Sequence, residues 1–453
     1  MQIRSLRFQD IKTHFPIKTM LIIIGVWLVL ALGNFLSIEY GVYLGVDLFF
    51  PFSVLYPSEF LWQGFIFSFL FGVAGVYCWD KVERFSLLQV ILCCILLVFL
   101  GNMMQGSFDN AFLKPFYWKG QQYYSDAIKV TDAADFLRTF EEKQDTFLLH
   151  TKTHPPFVVL IHYYLLQISG GSIVFLSLVF TGFAMLIFPI MMRIWQNFDF
   201  PALQIKKLLL LLAIVPSVNI YTLVSLDGLI LVSVALALWA VSEVYKVGKV
   251  SLFSIILTVL SIVISNSLSF SGLFVIAFLG ILALVQLWKR DARFAWLGGI
   301  SLMISILVFL GYYYIGGYNH WEVFRAASAS ENRYGFMLFS IPHIYFATRL
   351  QDIAEIMMFL SLPFITLWFD RKYSASFLED SFTKKVAYSA IFVLLLMFST
   401  GAYGTGETAR ACLFIVPFIF ILERKIPAIT FTIVYFLCVM QTLIMQTVGN
   451  FFW

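Results

Sequence analysis

Charge is what this chain has least of. Asp, Glu, Lys and Arg make up only 12% of its 453 residues, about half the share carried by a soluble protein of this size. Hydrophobic residues reach 60% and the mean hydropathy is +0.88, which excludes an ordinary soluble enzyme. Cysteine is also sparse. The five residues Cys78, Cys93, Cys94, Cys412 and Cys438 sit in or beside apolar segments. None has metal-ligand spacing with His or a position where a loop disulfide would help, so they read as packing residues. No polar stretch is long enough for a separate soluble domain. The chain reads as one membrane-embedded unit, 1–453, with three spans in 1–104, a loop in 105–170 and the remaining spans in 171–453. The net charge of +4 says little by itself, and no nucleic-acid partner is expected.

What the chain has in quantity is apolar runs of roughly 18 to 22 residues, long enough to cross a ~30 Å hydrocarbon core. They fall near 19–37, 60–79, 86–104, 172–192, 206–222, 227–244, 251–268, 271–288, 296–314, 351–369, 386–400, 411–422 and 427–447. The first is too long for a signal-peptide core and lacks a small-residue cleavage site, so it reads as an uncleaved span. The expectation is an all-α polytopic membrane protein with about 13 transmembrane helices.

The stretch 105–153 is polar and is followed by a short apolar piece, Phe157 to Ile168. A 12-residue helix covers only about 18 Å, too little to span. Charge counting agrees. With a cytoplasmic N-terminus and no crossing at 157–168, the inner segments hold Arg4, Arg7, Lys12, Lys18, Lys81, Arg84, Arg193, Lys206, Lys207, Lys246, Lys249, Lys289, Arg290, Arg293, Arg371, Lys372, Lys384, Lys385, Arg424 and Lys425. That is 20 of the 30 basic residues. A crossing there would flip everything downstream and keep only 10 basic residues inside, and the positive-inside rule favours the first arrangement. Residues 155–168 therefore read as an extracytoplasmic juxtamembrane helix. The same topology puts 16 of the 26 carboxylates outside.

Four outer stretches carry candidate chemistry. The first loop reads Gly120-Gln-Gln-Tyr-Tyr124-Ser-Asp126, then His150-Thr-Lys152-Thr-His154-Pro-Pro-Phe157. Proline suits a helix start because the first-turn amides lack intrahelical partners. His150 and His154 can then flank an anion at that helix N-terminus, while His162, inside the apolar helix, reads as a packing residue. Pro216-Ser-Val-Asn219-Ile-Tyr221 runs on to Ser225-Leu-Asp227. Gly317-Tyr-Asn-His320 leads to Glu331-Asn-Arg333. Gly404-Thr-Gly-Glu407-Thr-Ala-Arg410 precedes Pro417.

These elements, spread in order from residue 120 to 418, resemble the GT-C superfamily of integral membrane glycosyltransferases, which use polyprenyl- or dolichyl-phosphate sugars. The closest likeness is to bacterial members related to mannosyl- and arabinosyltransferases. There the loop motif usually reads His-Pro-Pro-Gly, and here Phe157 replaces the glycine. The resemblance implies transfer of a sugar from a polyprenyl-phosphate donor to a glycan, lipid or protein acceptor. It also implies a site on the outer face of the bacterial cytoplasmic membrane, with an acid of the first loop as essential catalytic residue.

Asp126 occupies that loop position and is the candidate base, although it could instead cap the following helix. The adjacent Tyr123 and Tyr124 are candidates for a sugar subsite. His150, Lys152, His154, His320, Arg333 and Arg410 suit an anionic phosphate, Arg being able to grip it with two parallel N–H groups. Asp227 opens a span and is either an N-cap or a site residue. Glu407 and Arg410 are spaced to share one helix face and could simply pair. Carboxylates with His could hold a divalent cation, Mg or Mn, but no metal-spacing motif occurs. Two other readings remain open. A lipid-linked polysaccharide polymerase should centre on outer-loop arginines. A transporter or flippase should place ionisable residues at mid-membrane and show internal repeats. Span interiors here are almost free of charge.

Overall fold

A computed structural model describes residues 8–46, 48–52, 55–57, 61–118, 123–332, 335–370, 373, 381–401, 407–422 and 426–450. Among the described residues the regular structure is helical, apart from a two-residue antiparallel pairing of Tyr56–Pro57 with Gly449–Asn450. Among the described residues eight helices are long and apolar enough to cross a membrane: Ile17–Glu39, Trp62–Lys81, Ile173–Asn197, Leu226–Val247, Phe270–Leu287, Arg293–Gly316, Phe382–Ser399 and Ala428–Val448. The polytopic all-α architecture follows from their composition, since only a helix satisfies its own backbone groups within lipid.

The other five expected spans take different forms. Leu87–Met103 and Leu252–Leu268 are apolar helices of 17 residues, and Pro342–Phe359 with Leu362–Phe369 forms a pair bent by 110°. The stretch 206–222 divides into Ala202–Ile214 and Pro216–Tyr221, because Pro216 has no amide to continue the ladder. The stretch 411–422 divides into short turns around Pro417. A run of apolar residues measures solubility in lipid, not helix continuity, which explains the differences.

Breaks inside a membrane free backbone groups that need partners. Asn219 Nδ2 donates to Ala213 O at 2.9 Å, and Thr442 Oγ1 donates to Ile214 O, so the end at Ile214 is capped from two directions. Gln446 Nε2 in turn donates to Asn219 Oδ1 at 3.2 Å. At the bent pair, Gln441 Oε1 accepts from Leu362 N at 2.8 Å and Ser361 Oγ at 3.0 Å, while its Nε2 donates to Met358 O at 2.8 Å. The helix Ala428–Val448 thus mends both breaks.

Leu226–Val247 runs through the middle of the bundle, whereas Ile17–Glu39 and Arg293–Gly316 touch it along narrow edges. The connecting turns sort into two groups. Lys206 Nζ donates to Glu83 O at 3.4 Å, Lys246 pairs with Asp199, and Tyr373 Oη donates to His14 O at 2.9 Å. In the first loop, Gln144 Nε2 donates to Lys152 O at 2.8 Å and to Val323 O at 3.2 Å, tying that loop to the helix His320–Glu331. The helix Phe157–Ile168 starts directly after Pro155 and Pro156, as its sequence predicts.

Candidate functional site

A cavity of about 130 Å³ lies where the first loop meets the bundle. By volume it holds several waters or one small polar group, since a single water needs only about 10–15 Å³ of such space. One wall comes from the loop. The short helix Tyr123–Ala127 brings Tyr123 between three imidazoles, with ring centroids 6.0 Å from His150, 5.5 Å from His154 and 5.9 Å from His162. The opposite wall is the turn after Pro216–Tyr221, including Val224 and Asp227, together with Arg410 and Ala411. Phe116 and Phe180 close the floor and pack on His162.

Arg410 is the electrostatic centre. Its Nε lies 3.3 Å from Asp227 Oδ2, and its guanidinium also contacts Glu407. Burial pushes Glu407 up to about 8; Arg410 opposes that rise, and Asp227 and Glu355 add to it. Burial holds His150 down at about 3 and His154 down at about 4, with Arg410 repelling a proton on either ring. The loop imidazoles are therefore neutral. Burial likewise pushes the Tyr123 phenol up, so it keeps its proton. Two residues beside the cavity, Val224 (φ 49°) and Glu407 (φ 55°), hold left-handed backbone conformations without being glycine.

Of the residues singled out from the sequence, His150, His154, Asp227 and Arg410 line this cavity, and Glu407 joins it through Arg410. Asp126 is buried but does not line it: its carboxylate accepts from Leu148 N at 3.1 Å and pairs with Lys129 at 3.1 Å. That binds the Tyr123–Ala127 helix to the helix Leu149–Thr153, which carries His150. Tyr124 packs half-buried against the apolar core, and its neighbour Tyr123 faces the cavity instead. Lys152 pairs with Asp145 at 2.5 Å. His320 contacts Tyr318 Oη at 2.9 Å and stacks near Phe309, away from the cavity; burial lowers it to about 4. Gly120 and Arg333 lie outside the described residues. Ser225, not Asp227, caps the helix Leu226–Val247, accepting from Gly228 N at 3.1 Å.

Tyr123, named with Tyr124 for a sugar subsite, does line the cavity, whereas sequence reasoning missed His162 and Tyr221 as lining residues. It also missed a polar row on Pro342–Phe359. Arg349 Nε lies 3.1 Å from Asp352 Oδ2, and Thr408 Oγ1 donates to Asp352 Oδ1 at 2.5 Å. Glu355 is buried one turn further along. The expectation that span interiors are almost free of charge fails here. The signal was present as three ionisable residues at spacing three in an apolar helix. All five cysteines are free, and among the described residues no three His, Cys, Asp or Glu side chains are arranged to hold a metal ion.

No family model, no curated protein and no solved structure matches this chain.

Proposed function

We propose that the chain is a glycosyltransferase that moves a sugar from a polyprenyl-phosphate donor to an extracytoplasmic glycan, lipid or protein acceptor, working at the cavity around Arg410. It crosses the bacterial cytoplasmic membrane thirteen times, with the N-terminus inside and Phe157–Ile168 lying at the outer interface. One observation carries the reading. Loop residues His150 and His154, the span residue Asp227 and the late Glu407–Arg410 element converge on one buried cavity from three distant parts of the chain.

The charges suit a phosphodiester. Arg410 can offer parallel N–H groups to phosphate oxygens, but Asp227 and Glu407 hold it. A carboxyl near 8 gains or loses its proton easily around neutrality, so Glu407 can take up a proton and release the guanidinium to an arriving anion. Tyr123 and Tyr221 supply polar-edged aromatic surface of the kind that a sugar ring packs against.

A transporter or flippase is the second reading, favoured by the two broken helices and by the buried Arg349, Asp352 and Glu355. One experiment separates them. Membranes containing the protein are incubated with a panel of radiolabelled polyprenyl-phosphate sugars. Label should pass to a new product, and Arg410→Ala should reduce that transfer by at least about 10²-fold, the scale lost with one preorganised electrostatic contact. Labelled donor that only changes leaflet, with no product from any sugar, would replace the enzyme by the transporter.

A further inference from the structure

Two histidines of the cavity have their tautomer fixed by the backbone. His154 Nδ1 lies 3.0 Å from His150 O, and His162 Nδ1 lies 2.8 Å from Val158 O. A carbonyl oxygen only accepts, so Nδ1 carries the proton and Nε2 keeps the lone pair. The carboxylates nearby are engaged differently. Asp227 and Glu407 both face Arg410, while Asp126 holds Lys129 and the Leu148 amide outside the lining. His162 is almost wholly buried, wedged between Phe116 and Phe180. His154 is only partly buried and stands at the loop edge, just before Pro155.

We infer that His154 Nε2, rather than a carboxylate, takes the proton from the acceptor hydroxyl during the sugar transfer proposed above, a reading on which this assignment rests. The step balances without any further reagent. The hydroxyl oxygen bonds to the anomeric carbon as the bond from that carbon to the phosphate oxygen breaks. The electron pair of the broken bond stays on the phosphate, and the hydroxyl proton moves to Nε2. The resulting imidazolium faces the new polyprenyl phosphate dianion and can pass the proton to it, returning the ring to its neutral state.

Charge favours this choice. An ionised carboxylate base would put a second anion beside a phosphodiester in a poorly solvated cavity, where unbalanced charge is costly. A neutral imidazole starts the step with one anion and ends it with an ion pair. Burial holds the ring low, at about 4, and an adjacent phosphate raises it by favouring the charged form.

The test uses the full chain in membranes with the polyprenyl-phosphate sugar that supports transfer. Wild-type transfer tests the parent reading, and the variants test this one. His154→Gln should lower kcat by about 10² to 10⁴-fold, the usual contribution of a positioned base, with donor KM changed only a few-fold. Added imidazole should restore part of the turnover of His154→Ala. Asp126→Asn keeps an acceptor for the Leu148 amide and should stay within a few-fold of wild type. Near-normal turnover of His154→Gln, with the large loss falling on Asp126→Asn or Asp227→Asn, overturns the assignment. An arm on the unaltered protein needs no variant to fold. Diethyl pyrocarbonate should abolish turnover and hydroxylamine should restore it; full turnover after complete histidine modification overturns the proposal.

Discussion

Glu407 holds a left-handed backbone conformation, φ 55°, which costs a residue with a side chain on the order of 1–3 kcal/mol. The return is a carboxyl aimed at Arg410 from the start of the turn that carries Arg410 itself. Because burial raises Glu407 to about 8, the sign of its pH effect follows directly. Below that value it is protonated and competes weakly for the guanidinium; above it, it is ionised and competes strongly. Donor KM should therefore rise as pH climbs through about 8, and Glu407→Gln should flatten that rise by removing the titrating proton. A wild-type KM independent of pH across this range, or an unchanged slope in the variant, would refute the release of Arg410 by Glu407. Residues of this kind were legible in sequence because ionisable groups are rare in an apolar chain and stand out at its edges. Which of Tyr123 and Tyr124 faces the cavity was not legible. The choice depends on the rotation of a five-residue helix fixed by Asp126 through Leu148, 22 positions away.

Helix breaks are readable as prolines, but their partners are not. Pro216 marks the end at Ile214 in the sequence, whereas the side chains that cap it, Asn219 and Thr442, come from the next turn and from the last long helix. Gln441 lies on that same last helix and satisfies both sides of the bend between Phe359 and Leu362. In an apolar run these three residues look like mild interruptions; only the packing gives them work. Gln441→Leu keeps the volume roughly but leaves the Leu362 amide without its partner, while the Met358 carbonyl still accepts from Ser361 N at 3.1 Å. A buried polar group so stranded costs about 1–3 kcal/mol. The variant should unfold at lower temperature in detergent, while Gln441→Glu, still an acceptor for Leu362, should lose less. Equal melting of Gln441→Leu and wild type would mean that the bend is held by other contacts. The bend also orients the row Arg349–Asp352, and through Thr408 it reaches the residue beside Glu407. Cavity and broken helix are thus one connected polar structure.

The whole molecule has two ends, and contacts across the bundle say which turns share an end. Lys206 Nζ donates to Glu83 O at 3.4 Å, so the turn before Leu87–Met103 and the turn before Ala202–Ile214 lie together. An even number of crossings must separate them. In the topology proposed above, Leu87–Met103 and Ile173–Asn197 supply two, and a crossing by Phe157–Ile168 would make the number odd. The proposed orientation turns this end, with its basic residues Lys81, Arg84, Lys206 and Lys207, towards the cytoplasm. The orientation can be read with single cysteines in a background lacking the five native ones. Glu142 is exposed in the first loop, and Ala202 is exposed in the turn beside Lys206, whereas Phe198 in the same region is buried and unsuitable. A membrane-impermeant maleimide added to intact cells should label Glu142→Cys directly and Ala202→Cys only after the membrane is opened. Labelling of both from the same side would require the short helix to cross, and with it the cavity would lose its outer-face assignment. The reverse pattern, Ala202→Cys outside and Glu142→Cys inside, would keep the fold but turn the cavity to the cytoplasm, where the donor would have to be one presented on the inner leaflet.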